Sequence, residues 1–286
     1  MPWSKTTRDE YRRLGCRFAS DMTDGEWERL EPLLPRPHRH GRPRKRGLRI
    51  IVEAILYIAW TGVQWRALPP QFPPFTTVQS YFYAWRNSGL LQRIVRTLVG
   101  QMRHALGLNP APSAGVIDSQ SAPTTQGGPR GYDAGKRVKG RKRHIVTDTN
   151  GLLLAVHVHP ANIQDNHGAV PLLRELRQIY PALSHIFADR IYRGQQLRDA
   201  LADSGPWTIQ IVERPKGVKG FQLLPRRWVV ERSFAWLIGA RRLAKDFERS
   251  TQSQAAWLLI AHLRILIKRL AKQTKQSFES DGVIGV

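Results

Sequence analysis

Apolar positions divide the chain into two regions of different periodicity. Between about 21 and 108 they recur every three or four residues, which is typical of amphipathic helices. The strongest helical patterns cover 48–61 and 90–106. Thr76 and Gln79 have the spacing of a capping box and predict a further helix between these two. This region is therefore predicted to be a small all-α domain.

A second capping box is predicted at Thr23 and Glu26, where another helix would begin. Four short helices rich in arginine and aromatic residues are typical of a helix-turn-helix-like DNA-binding domain. A plain helical bundle that serves as a lid or as a dimer surface is the alternative.

From residue 116 onward, short apolar strands alternate with helical patterns. "GVID", "SHIFAD" and "WTIQIVERP" read as strands, and "RKRHIVTDTNGLLLAVHVHPA" reads as two strands around a turn. This order predicts an α/β fold with a mixed five-stranded sheet, in which three antiparallel strands are continued by parallel ones. The segment 119–140 is predicted to be a glycine-rich basic loop.

These patterns suggest five segments. They are a basic arm (1–20), a helical DNA-binding domain (21–108), a linker (109–115), an α/β domain (116–250), and a basic helix with a tail (251–286).

Charge narrows the class of partner. The 286 residues include 45 Lys and Arg against 22 Asp and Glu, a net charge of +23. Such an excess favours a polyanionic partner, above all nucleic acid. A membrane partner is not expected, because the longest apolar run, 50–60, falls far short of the roughly 20 residues that a spanning helix needs and contains Glu53. Cys16 is the single cysteine, and no secretory signal is recognisable, which fits a reducing cytoplasm.

Two aspartates follow short apolar strands, Asp118 and Asp189. Either one alone is most often a turn or capping residue. If the two strands are neighbours, however, both carboxylates lie at the same edge of the sheet and repel each other unless a cation is present. Mg²⁺ prefers such oxygen ligands, and a third carboxylate from a helix packed on the sheet, Glu231, would complete a two-metal site for phosphodiester chemistry.

Four blocks of sequence resemble a known family. "GVIDSQS", "YDAGKRVKGRKRHIVTDTNGLLL", "FADRIYRG" and "PRRWVVERSFAWL", in this order, closely resemble the DDE transposases of bacterial insertion sequences, in particular the insertion sequence 5 family. The amino-terminal run from "SDMTDGEWERLEPLLP" to "YFYAWRNSG" resembles that family as well. The resemblance covers about residues 20–270.

The resemblance implies an RNase H-like catalytic core in which Asp118, Asp189 and Glu231 are the catalytic, metal-binding residues. It also implies Mg²⁺, with Mn²⁺ as a substitute and two ions in the site. The implied function is binding of terminal inverted repeats, cleavage at the element ends, and joining of the 3′-OH ends to target DNA. The implied assembly is a homodimer or larger on paired ends of double-stranded DNA, at the bacterial nucleoid.

One signature differs from the related insertion sequence 4 group, which carries Tyr, Arg, Glu and Lys at fixed spacing around its glutamate. Those positions are Leu224, Arg227, Glu231 and Ile238 in this sequence, so the arginine and the glutamate match and the other two do not. Arg227, one helical turn before Glu231, can contact a phosphate or orient the carboxylate. Substitutes for the missing lysine are Arg241, Arg242 and Lys245.

The basic segment 130–144 is predicted to contact DNA phosphates. Together with the arginines near Glu231, the predicted DNA-contacting residues are Lys136, Arg137, Lys139, Arg141, Lys142, Arg143, Arg227, Arg241 and Arg242. The helical domain, the segment 36–47 and the carboxy-terminal helix are expected to hold the terminal repeats.

Other candidates have simpler readings. His157 and His159 share a strand face, but without further ligands they are ordinary strand histidines. Asp165 is expected to be a helix N-cap, with a supporting catalytic role as the alternative, and Asp148 a hairpin-turn residue. Two further carboxylates, Glu213 and Glu248, compete with Glu231 as the third acidic residue. The rival functions are a metal-dependent nuclease without strand transfer and a catalytically silent DNA-binding descendant of a transposase.

Overall fold

The computed structural model describes residues 16–36, 46–125, 127–213 and 226–281, with side chains of the last helix as far as 273. Most of the predicted basic arm, most of the segment 36–47, and Leu224 lie outside the described residues.

The amino-terminal region is helical, as its periodicity predicts. Its helices are α1 (Asp24–Leu30), α2 (Leu48–Thr61), α3 (Phe75–Asn87) and α4 (Leu90–Ala105). The capping box at the start of α1 is confirmed, since Thr23 and Glu26 each accept the other's backbone N–H. The predicted box at Thr76 is wrong. Helix α3 begins one residue earlier, after Pro74, which supplies no side-chain cap.

The last helix belongs to the same helical layer. Helix α8 (Thr251–Asp281) packs against α4, α1 and α2 and also against the sheet. Its side chains Trp257, Leu266 and Ile267 are fully buried. The described part of this helix therefore works mainly as a packing element, because the apolar residues between its lysines and arginines face the core.

The second region contains six described strands in one mixed sheet. They are β1 (Ala114–Pro123), β2 (Gly131–Asp133), β3 (Val138–Asp148), β4 (Leu153–Pro160), β5 (His185–Ala188) and β6 (Thr208–Ile211). One edge of β3 pairs with β1, and its other edge pairs with β4 and β2. On the other side of β1, the sheet continues with β5 and then β6, and both strands run parallel to β1. The predicted change from antiparallel to parallel strands is confirmed.

The prediction of a loop over residues 119–140 is wrong in part. Strand β1 continues beyond Asp118 to Pro123, paired with β3 over the register Gly115↔Asp148 to Pro123↔Gly140. The short strand β2, absent from the five-stranded prediction, also pairs there with β3. These residues lack an apolar alternation, since their side chains are mostly polar, so the strand pattern was hidden.

Helices α5 (Asp165–Ile179), α6 (Gln195–Leu201) and α7 (Arg227–Ile238) complete the region. Helix α5 packs on β4, and α7 packs on β1 and β3. Apolar side chains of both regions belong to one continuous core. Within the described residues, no helix is long and apolar enough to cross a membrane.

Candidate active site

The parallel pairing of β1 with β5 places Asp118 and Asp189 side by side. The last paired residues are Val116 and Phe187, and each aspartate follows two positions later. Both carboxylates therefore lie at the same level, at the edge of the sheet where ligands gather in α/β folds.

The surroundings of Asp118 make the ionised form of its carboxylate unfavourable. Burial, and to a smaller extent the negative charge of Asp189, raise the pKa of Asp118 to about 6. The backbone N–H of Ser119, at 2.7 Å, and the charges of Lys136 and Arg227 act in the opposite direction. Removal from water is thus the main cost of ionising this carboxylate, and a cation in contact with it would offset that cost.

Asp189 and Glu231 share one arginine. Asp189 caps the short 3₁₀ turn Arg190–Tyr192, its Oδ1 accepting the N–H of Ile191 at 2.9 Å. Its other oxygen lies 3.7 Å from Nη2 of Arg227, and Nε of that arginine lies 3.4 Å from Oε1 of Glu231. Glu231 is 55% exposed, on the solvent side of α7. Arg227 therefore links the two carboxylates, as the helical spacing of Arg227 and Glu231 suggests.

Helix α7, which presents Glu231, is fixed to the sheet in two ways. Its apolar face is in the core, where the following side chains are buried: Val229, Val230, Phe234 and Leu237. Ser233 Oγ donates to the carbonyl of Gly151 at 3.0 Å, and Arg232 donates to that of Asn150 at 3.0 Å. Gly151 has a φ of +87°, and a Cβ there would lie 2.8 Å from Ser233 Oγ, so this turn and the helix fit only around glycine.

The donor set fits a hard divalent cation. The candidates are all carboxylate oxygens, and Asp118 and Asp189 repel each other when both are ionised. Among the described residues, no group of three or more Asp, Glu, His or Cys side chains is already assembled around a metal position. Glu231 stays apart from the aspartates because Arg227 lies between them.

Comparison with known proteins decides the family. The family described as "Transposase DDE domain" matches residues 109–266, more than half of the chain. The chain belongs to the DDE transposases. A second family, described as "Putative transposase of IS4/5 family", matches residues 22–95 in the helical region. The predicted recognition is confirmed, and the mixed α/β sheet flanked by helices and the amino-terminal helical region are as predicted.

Individual proteins are similar to the chain as well. A "Putative transposase for insertion sequence element IS402" of Burkholderia cepacia is 35% identical over 150 residues, which is 50% of this chain and 69% of the relative. "Uncharacterized protein y4sN" of Sinorhizobium fredii is 27% identical over 77 residues, 27% of this chain and 62% of the relative. Among solved structures, a Mos1 transposase paired-end complex with left transposon end matches with a TM-score of 0.30 and 14% identity, over 86% of this chain and 82% of that one.

Four residues predicted to contact DNA are buried instead. Arg141, on β3, is fully buried and pairs with Asp246 at 2.9 Å. Arg143 donates to the carbonyls of Leu243 and Lys245. We correct the prediction for Arg141 and Arg143, because β3 lies in the middle of the sheet and its side chains have internal partners.

The same correction applies to Lys142 and Arg242. Lys142 Nζ donates to Asp165 at 3.0 Å, and Arg242 Nη2 lies 2.6 Å from Glu248. Because Arg242 is paired with Glu248, the remaining candidates to replace the missing lysine near Glu231 are Arg241 and Lys245, which are both exposed.

The remaining predicted contacts are accessible. Lys136, Arg137 and Lys139 are exposed at the β2–β3 hairpin, and Arg241 is exposed after α7. The hairpin is held by Asp133, whose carboxylate accepts the N–H of Lys136 at 3.0 Å. Lys136 Nζ in turn donates to the carbonyl of Ser119 at 3.2 Å, directly beside Asp118. A basic surface therefore adjoins the candidate site.

The rival carboxylates have other partners. Glu248 is buried with Arg242, and Glu213 pairs with Arg193 at 2.7 Å. Asp148 is the predicted turn residue, since its Oδ1 accepts the N–H groups of Asn150 and Leu152, and it also pairs with Arg103.

Three further side chains were candidates in the sequence: Asp165, His157 and His159. The N-cap prediction for Asp165 is wrong: Gln164 occupies the cap position of α5, and the carboxylate of Asp165 turns inward. His157 and His159 lie 5.6 Å apart by ring centroids, and no metal-binding group forms around them within the described ranges.

Proposed function

We propose that this protein binds the terminal inverted repeats of its insertion sequence, cleaves DNA at the element ends and joins the freed 3′-OH ends to target DNA. Asp118, Asp189 and Glu231 are the proposed catalytic acids. The observation that carries the proposal is the level placement of Asp118 and Asp189 on adjacent parallel strands, with Glu231 connected to them through Arg227.

Asp118 and Asp189 would hold divalent cations, with Glu231 as the third ligand. When bound, two Mg²⁺ ions stabilise charge on the attacking and leaving oxygens of a phosphodiester, and Mn²⁺ can replace them. Arg227 offsets the repulsion between Asp189 and Glu231, and its guanidinium lies where it can also contact a phosphate.

The exposed basic residues of the β2–β3 hairpin would position the DNA backbone beside the carboxylates. Lys136 has the best-defined place, because its Nζ is fixed at Ser119, next to Asp118. Contacts of this kind carry affinity rather than sequence information. The helical region would then supply recognition of the repeats. A homodimer or larger assembly, at the nucleoid in the cytoplasm, would hold the two ends that are joined.

A joining assay separates this function from its rivals. The purified protein is incubated with Mg²⁺, a supercoiled plasmid, and a labelled duplex that ends in the element's terminal repeat. The parent is expected to transfer label to the plasmid, and Asp118→Asn, Asp189→Asn and Glu231→Gln are expected not to. Glu213→Gln is the matched control and is expected to retain joining.

Each alternative has its own outcome. Cleavage of a donor duplex without any joined product would indicate a nuclease. Binding of the terminal repeat with neither cleavage nor joining would indicate a silent DNA-binding protein. Joining that survives all three substitutions would refute the assignment of the site.

A further inference from the structure

A buried polar cluster lies behind the candidate site and takes no part in the function proposed so far. Its side chains come from β1, β3, α5 and the turn after β5: Ser119, Lys142, His144, Asp165 and Tyr192. Ser119 Oγ and Lys142 Nζ both donate to the carboxylate of Asp165. The cluster is thus ordered by charge-assisted hydrogen bonds in the protein interior.

Tyr192 connects this cluster to Asp189. The short turn that Asp189 caps ends at Tyr192, whose N–H donates to the carbonyl of Asp189 at 3.2 Å. A quarter of the Asp189 side chain is exposed, whereas Tyr192 is 1% exposed. One turn therefore directs the carboxylate outward and the phenol inward.

The hydroxyl of Tyr192 reaches the central strand β3. It forms a hydrogen bond with Nδ1 of His144 at 3.4 Å, and His144 pairs in register with Ser119 of β1. Burial raises the pKa of Tyr192 well above its usual value, and the charges of Asp118, Asp165 and Asp189 raise it further, so the hydroxyl keeps its proton.

His144 is a suitable acceptor for that proton. Burial lowers the pKa of His144 well below its usual value, so the ring is neutral. Its Nε2 faces Oδ1 of Asp165 at 3.5 Å, which favours the tautomer with the proton on Nε2 and leaves Nδ1 free to accept from Tyr192.

The backbone alone does not fix the distance between the two aspartates. The β1–β5 ladder ends at Val116 and Phe187, two residues before Asp118 and Asp189. Beyond that point, the Tyr192 hydroxyl is a side-chain link from the Asp189 turn to His144 on β3. His144 lies opposite Ser119 of β1, whose N–H donates to Asp118.

We propose that Tyr192 is a positioning residue, whose hydroxyl holds the Asp189 turn against the β1–β3 strand pair that carries Asp118 and so sets the spacing of the two carboxylates for divalent cations. This inference rests on the proposed function of the site. It predicts that loss of the hydroxyl weakens cation binding without removing any ligand. Removal of such supporting hydrogen bonds typically costs on the order of tenfold or more in metal affinity.

The test is a titration of the full chain with Mn²⁺, in which free Mn²⁺ is measured by electron paramagnetic resonance, alongside thermal unfolding. Tyr192→Phe keeps the ring and removes only the hydroxyl. Tyr180→Phe is the matched control, since Tyr180 is also buried and its hydroxyl has no hydrogen-bond partner within the described structure. Asp118→Asn identifies the Mn²⁺ that belongs to the site.

Tyr192→Phe is expected to weaken the Asp118-dependent Mn²⁺ affinity about tenfold, while Tyr180→Phe leaves it unchanged. His144→Phe keeps a ring and removes the acceptor of the Tyr192 hydroxyl, so it should have a similar effect. The double variant should be no worse than the stronger single one, because both act through one link. His144→Phe decides the question alone if Tyr192→Phe unfolds.

Equal Mn²⁺ affinity in the parent, Tyr192→Phe and His144→Phe would overturn the positioning role and leave the proposed function intact. Failure of Asp118→Asn to remove any bound Mn²⁺ would overturn the proposed site itself, and the positioning role with it.

Discussion

Replacing Asp118 by asparagine should stabilise the metal-free protein at neutral pH. Burial and Asp189 make the ionised carboxylate unfavourable, so the pKa of Asp118 rises from its usual 3.8 to about 6. Since one pKa unit corresponds to about 1.4 kcal/mol, ionisation of Asp118 costs the folded state about 3 kcal/mol at pH 7. Asparagine has nearly the same shape and carries no charge, so it avoids this cost.

The effect should depend on pH with a definite sign. Because the folded-state pKa is the higher one, the folded protein takes up the Asp118 proton as pH falls through 6, while the unfolded chain does so only near 3.8. The advantage of Asp118→Asn is therefore full above about pH 6 and disappears by about pH 4. The pH dependence of groups that do not interact with Asp118 cancels in the comparison with the parent.

The assay is urea unfolding followed by circular dichroism, in EDTA, at several pH values between 4 and 8. Asp199→Asn is the matched control: Asp199 is exposed on α6, and its exchange should change the unfolding free energy by less than about 0.5 kcal/mol. A stability difference between Asp118→Asn and the parent that is absent, reversed or independent of pH would refute the electrostatic reasoning.

Two further predictions concern packing. Arg141→Ala should lower the free energy of unfolding by about 3–5 kcal/mol, because it leaves Asp246 buried without its partner. Lys139→Ala, on the exposed hairpin, should leave stability unchanged and reduce the salt dependence of DNA binding. Unfolding curves and binding titrations at several salt concentrations check both, and exchanged outcomes would restore Arg141 as a DNA contact. Gly151→Ala should reduce both DNA joining and melting temperature, because a Cβ at this left-handed position meets Ser233 of α7; unchanged values would show that α7 does not depend on this turn.

Asp118 and Asp189 could be singled out from the sequence because the pattern that marks them is local. Asp118 and Asp189 each end a short apolar stretch, and in an α/β order the ends of parallel strands meet at one edge of the sheet. The strand neighbours themselves required the structure, as did the place of Arg227 between Asp189 and Glu231.

The basic residues of β3 were wrongly predicted to contact DNA, because composition does not show whether a side chain is buried. Arg141 and Lys142 look like a phosphate-binding run, but their partners, Asp246 and Asp165, are distant in sequence and meet them only in the folded chain. Asp165 itself begins a helix, so local rules favour a cap, and its contact with Ser119 is a tertiary one. Partners this far apart leave no signal in a single sequence.

Asp118, Asp189 and Glu231 are proposed to form one cation site, and anomalous diffraction from crystals soaked in Mn²⁺ would locate the bound cation. We expect a Mn²⁺ peak in contact with oxygens of both Asp118 and Asp189, and loss of that peak in crystals of Asp118→Asn. A Mn²⁺ peak bound elsewhere, with none at the two aspartates at saturating Mn²⁺, would show that these carboxylates do not form the site.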